Sequence, residues 1–373
     1  MIGSLALLLV VSGNSHVLRG LSATYLIGKS RPDIDDFDQD ACRKVAFGNP
    51  QPWAISSFQG SKSLTAQQEA YLDSLQTTAF LVVWKDSILF ERYSMEGGVN
   101  VLSNSFSMAK TFTSMAIGAA VDRGTLKVED PVSKFLPRFD EGLNAKLTVM
   151  QVLQMRSNID FGESYSNPFG YQARAYYGTD LLAETAPYRV SSNPGTTWEY
   201  QGGNTVLLAE LFEARTNKKL SDWFSECFWK RIGAEHDAWW RVDHEGGIER
   251  SFSAFYATAR DFARIGKLFL HRGKWDGVQI LSGSYYEASI TPQSVKDKKG
   301  NIVRHYGYQW WLAPDEQPSH FSARGMRGQY IVVVPEKELV FVRLGHLREE
   351  KTGGTMTPDL AKFVTIAIGL IPQ

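Results

Sequence analysis

Two hairpin signals, one toward each end of the chain, constrain its fold more than any other feature. Residues 79–84 and 87–93 are rich in β-branched and aromatic side chains and are separated only by Lys85-Asp86. Residues 330–334 and 339–344 repeat the pattern around Pro335-Glu336-Lys337-Glu338. Between them the apolar periodicity turns helical, over about 107–123, 147–155, 205–216, 220–232 and 257–270, and a last helix is predicted over about 358–370. The order strands, helices, strands, helix predicts an α+β fold. An antiparallel sheet is built from both chain ends and flanked by helices, and a mainly helical part is inserted between them.

The expected boundaries follow from this order. Residues 1–60 form an apolar N-terminal segment and an extended leader, and 61–373 form the main domain. The α/β part of that domain covers about 61–122 and 240–373, and the helical part about 123–239. Residues 157–203 form an irregular stretch dense in Tyr, Asn, Gly and Pro, and a connection that long is usually functional or a lid.

Composition excludes several classes. The 373 residues, 43% hydrophobic, suffice for a sizeable core. Lys plus Arg equals Asp plus Glu at 40 each, so no global field favours nucleic acid or an anionic surface. The seven His residues form no His-Glu-x-x-His pattern and no nucleotide-binding Gly loop occurs, so neither a metal nor another cofactor is expected. No Gly-x-Ser-x-Gly elbow is present, which argues against an α/β-hydrolase. Cys42 and Cys227 fit either one disulfide or two buried thiols. The pairs Trp239-Trp240 and Trp310-Trp311 fit either a cleft wall or the core.

Residues 2–11 are an apolar run too short to span a bilayer. The run resembles the apolar region of a signal peptide, although no Lys or Arg precedes it and no Ala-x-Ala site follows. It is read as an export signal or remnant anchor, which places the protein in the periplasm or anchored to the inner membrane through its N-terminus. The alternative is a cytoplasmic protein with an apolar first helix.

Three segments carry chemistry. In Ser107-Met108-Ala109-Lys110, ahead of the apolar stretch 115–121, residues i and i+3 share a helix face, so hydroxyl and amine meet. A desolvated Lys activates such a hydroxyl, and the helix start offers free N–H groups to an oxyanion. In Glu199-Tyr200-Gln201-Gly202-Gly203-Asn204, Tyr200 lies on a Gly-rich turn before a helix. A phenol whose pKa is lowered by a nearby ammonium is a usable base. Ala323-Arg324-Gly325-Met326-Arg327-Gly328-Gln329 precedes a strand, and its glycines allow close approach of a substrate to the backbone. Taken singly, each segment also reads as ordinary structure: a turn serine, a buried tyrosine, turn glycines.

Taken in order, the segments resemble the β-lactamase-related serine hydrolases: class C β-lactamases, penicillin-binding DD-peptidases and esterases of that fold. Residues 152–168, with Glu163-Ser164-Tyr165, residues 200–213 and 258–264, and Tyr308-Gln309-Trp310-Trp311 extend the likeness toward the 6-aminohexanoate-dimer hydrolases. The resemblance covers roughly residue 68 to the C-terminus and implies a β-lactamase/DD-peptidase-like fold. It also implies Ser107 as nucleophile, Lys110 and Tyr200 as its proton partners, and an oxyanion hole from the N–H groups of Ser107 and Met326. Tyr165, Arg324, Gly325 and Arg327 would bind substrate, and one of the two arginines would hold a substrate carboxylate.

The chain departs from the family pattern at Gly202, where the lactamases and peptidases have Asn, although Asn204 lies nearby. Ala323 and Arg324 replace the Lys and Thr of the third motif. The reading is therefore a serine hydrolase that forms an acyl-enzyme on small esters and linear amides. A β-lactamase or DD-peptidase is the first alternative, and a non-catalytic penicillin-binding-like envelope protein the second.

Overall fold

The computed structural model describes residues 2–350 and 356–372; Met1, 351–355 and Gln373, which the expected boundaries include, lie outside them. Seven strands of the described residues form the main sheet. They are β1 (Ala54–Ile55), β2 (Thr77–Trp84), β3 (Ser87–Tyr93), β4 (Trp311–Ala313), β5 (His320–Gly325), β6 (Gln329–Val334) and β7 (Leu339–Gly345), in the spatial order β4-β5-β6-β7-β2-β3-β1. Both predicted hairpins are present, and β7 pairs antiparallel with β2, with Val342 opposite Leu81. The two chain ends thus close one sheet.

The central strands β2, β6 and β7 are apolar and buried along nearly their whole length because both faces are covered. Successive side chains alternate between two cores. Leu81, Val83, Ile331, Val333, Val340 and Val342 face the larger one. Phe80, Val82, Val332, Val334, Leu339 and Phe341 face a second core closed by a C-terminal helix, Pro358–Gly369.

On the first face lies the helix Ala259–Leu270, capped at Thr258, whose hydroxyl accepts from the Asp261 N–H at 3.1 Å. It presses so closely that a Cβ at Gly266 would meet Val340 Cγ1 at 2.4 Å. Against the same core runs α1 (Ala109–Asp122), with its residues from Ala109 to Ala120 all buried.

Two expectations need revision. The leader is not merely extended. Its residues Cys42–Val45 pair antiparallel with Ala238–Arg241, and Ala54 and Ile55 pair parallel with β3. The stretch 157–203 contains two short helices, Tyr171–Tyr177 and Leu181–Thr185, which the Tyr- and Gly-rich composition concealed. Cys42 and Cys227 are free thiols. Trp240 and Trp310 are core residues, whereas Trp311 is half-buried.

The apolar N-terminal run is a helix, Ile2–Val11, with Leu7, Leu8, Val10 and Val11 exposed. Among the described residues no helix is long and apolar enough to cross a membrane. The next helix, Ser15–Ala23, packs against the irregular stretch itself, at and before the helix Tyr171–Tyr177. His16 Nε2 lies 2.9 Å from the Pro168 carbonyl, and Arg19 Nε donates to the Tyr177 carbonyl at 2.6 Å.

Candidate active site

Ser107 sits on a 3₁₀ turn, Phe106–Met108, that leads into α1. Within residues 103–110 it alone is not buried. Phe106 has φ +44°, a left-handed conformation that costs a bulky residue energy and is concentrated at functional sites. The neighbours hold it there. Asn104 Oδ1 accepts from the Phe106 N–H at 2.8 Å, and Ser105 is tied to Phe255 in both directions, with N–H···O at 2.8 Å and Oγ accepting at 3.2 Å.

One turn on, Lys110 is 2% exposed and donates to two acceptors, Ser107 Oγ at 3.0 Å and the Phe252 carbonyl at 2.9 Å. Burial pulls its pKa below the ordinary lysine value. Tyr200 completes the group: the Ser107 hydroxyl acts on its phenol, and the Lys110 Nζ lies 5.0 Å above its ring. The sequence suggested a phenol with a lowered pKa. Instead burial pushes Tyr200 above its ordinary value, opposed by the Ser107 hydroxyl.

The third segment meets the first through Gly325. Strand β4 pairs with β5 only at His320–Ser322, so Ala323–Gly325 lies beyond that pairing, next to the Ser107 turn. A Cβ at Gly325 would stand 2.3 Å from the Ser105 carbonyl oxygen, so the approach admits only glycine. Gly325→Ala is therefore expected to lower stability by about 1–3 kcal/mol and to reduce turnover by displacing the Ser107 turn. Denaturant titration beside ester kinetics checks this, and an unchanged variant would show that the contact is not tight.

An aromatic wall flanks the site. Trp311 lies 5.1 Å from Tyr200, Tyr306 6.0 Å from it, and the Arg324 guanidinium 5.2 Å above Trp311. Tyr165 is 68% exposed on the loop at the mouth, within electrostatic reach of Lys110 and Tyr200.

One expected residue is placed elsewhere. Arg327 pairs with Asp33 at 3.2 Å and donates to the Pro32 and His346 carbonyls, so it is a clasp between leader and turn, already neutralised. Asn204 is buried with its amide 3.5 Å from Met155 Sδ and does not replace the missing motif asparagine.

Sequence reasoning passed over Glu163 as a site residue. Its Oε1 accepts from the Gly203 N–H at 2.7 Å, and it acts electrostatically on Lys110. The acidic residue two positions before Tyr165 was the available signal.

Known proteins resemble this chain in sequence and fold. The Beta-lactamase family profile matches residues 73–364. The chain belongs to the Beta-lactamase family. It is 26% identical over 296 residues to a 6-aminohexanoate-dimer hydrolase of Paenarthrobacter ureafaciens, covering 74% of each chain. A Bacillus anthracis structure described as a candidate 6-aminohexanoate-dimer hydrolase superposes with TM-score 0.75 at 22% identity, covering 90% of this chain and 93% of that one. A family VIII carboxylesterase superposes with TM-score 0.65 at 16% identity, covering 86% and 99%. The fold is thus of the β-lactamase and penicillin-binding type, as the sequence led one to expect, and the chain is a member of a serine hydrolase family with amidohydrolase and esterase neighbours.

Proposed function

We propose that this protein hydrolyses small esters and linear amides of the 6-aminohexanoate-oligomer type through an acyl-enzyme on Ser107. The observation that carries the reading is the buried Lys110 amine, 3.0 Å from Ser107 Oγ, with a pKa lowered by burial. A neutral amine there accepts the hydroxyl proton as Ser107 attacks the carbonyl. The N–H groups of Ser107 and Met326 receive the oxyanion. Tyr200, held in its protonated form, donates to the leaving group, and water then releases the acyl chain.

The similarity to a 6-aminohexanoate-dimer hydrolase supports the amide class, and the aromatic wall capped by Arg324 suits a linear substrate with a terminal carboxylate. Ala323 in place of the third-motif lysine argues against efficient β-lactam turnover.

An ester needs less leaving-group help than an amide, because an alkoxide departs more readily than an unprotonated amine. Tyr165, at the mouth, is assigned that extra help. Tyr165→Phe is expected to cost roughly 10²-fold in kcat on a linear amide and little on the matched ester. Equal losses on both substrates would refute the role, and efficient cephalosporin hydrolysis by the parent would overturn the substrate class.

A further inference from the structure

The second motif lacks a polar side chain at Gly202, yet the space in front of it is filled. A Cβ placed there would lie 3.5 Å from Glu163 Oε1 and 3.2 Å from the Phe252 ring. The helix that begins at this point, α2 (Gly202–Thr216), has Gln201 at its N-cap with no side-chain cap. A helix start needs acceptors for its free N–H groups and favours negative charge. Glu163 answers both needs from 40 residues away, accepting from Gly203 at 2.7 Å. Phe252, whose ring faces Gly202, accepts from Lys110 through its carbonyl.

We propose that Glu163 is a positioning residue for catalysis, supplying from the loop the polar group absent at Gly202. It pins the loop bearing Tyr165 to the start of α2 and sets the charge balance of Lys110.

The groups that face Glu163 electrostatically are Lys110 on α1, Glu199 and Tyr200 before α2, Tyr165 on its own loop, and Tyr171 beyond it. Lys110 is the cationic group among them. A negative Glu163 favours the ammonium, and the neutral amine is what activates Ser107. The carboxylate therefore holds the amine's deprotonation at a higher pH than burial alone would set. In turn, burial pushes the Glu163 carboxyl up while the two helix N–H groups hold it down.

This inference rests on Ser107 and Lys110 acting as nucleophile and base. Its test uses the rate at which a fluorophosphonate labels Ser107 in the full chain across pH, which needs no knowledge of the natural substrate. E163Q keeps an oxygen for the Gly203 N–H and removes the charge. Its labelling midpoint is expected to move to lower pH by about one unit, whereas E163D keeps the charge and should stay near the parent. An unchanged E163Q midpoint, or an E163D shift equal to it, would overturn the proposal. Should E163Q not fold, the equal-length pair E163D and E163N is expected to differ in the same direction, and loss of fold in all three would make Glu163 purely structural and also overturn it. Failure of the parent to label at Ser107 would instead defeat the underlying reading, so the two failures are distinct.

Discussion

A Ser107→Ala protein is expected to fold as the parent does and to lose turnover by on the order of 10⁶-fold. The fold should survive because Ser107 is half-buried at the start of α1, and Lys110 keeps its bond to the Phe252 carbonyl. The activity should not, because the neighbouring serine cannot substitute. Ser105 is buried, its hydroxyl donating to the Phe106 carbonyl and its Oγ accepting from the Phe255 N–H. Thermal unfolding and ester kinetics on the same preparation test both halves. Near-normal turnover by the folded variant would refute Ser107 as nucleophile, and loss of the fold would show that the hydroxyl supports the turn.

The parts legible in the sequence were local. Lys85-Asp86 separates two apolar runs, and both residues take φ values of +48° and +62° that close a two-residue hairpin. Ser107 and Lys110 meet because a helical register brings i and i+3 together, which spacing alone reveals. The closure of one sheet from two chain ends was legible too, because four apolar runs had no other partners of similar character.

The missing parts were long-range. Arg327 reads as a strand-edge cation until Asp33, far away in sequence, is seen beside it. Residues 42–45 of the leader carry no strong strand pattern, and their pairing with Ala238–Arg241 is a tertiary choice. Phe106 gave no hint of a left-handed backbone, since that conformation is imposed by Asn104 and Phe255 rather than by its own preference. The acceptor that meets the Gly203 N–H comes not from the residues around Gly202 but from a separate loop, as Glu163.

The pKa of Lys110 ties mechanism to stability, and Lys110→Met tests both. Removing the amine is expected to cost roughly 10²–10⁴-fold in kcat, since it takes away the group that receives the Ser107 proton. The stability effect has a definite sign. In the unfolded chain Lys110 titrates near the ordinary lysine value, and in the folded chain it titrates below it. Above the unfolded value both states are neutral at this residue and the parent bears no penalty. As pH falls through the window between the two values, the unfolded state takes up the proton first, so the parent loses stability relative to its unfolded chain. Methionine has no such titration. The stability of Lys110→Met relative to the parent should therefore rise as pH falls from about 10.4 toward the lowered value and level off below it. The fixed cost of leaving the Phe252 carbonyl without its donor offsets the whole curve but does not tilt it. Denaturant titrations of both proteins across that range give the difference directly. A flat difference would mean that the folded lysine titrates normally, and the base assigned to Ser107 would then be wrong.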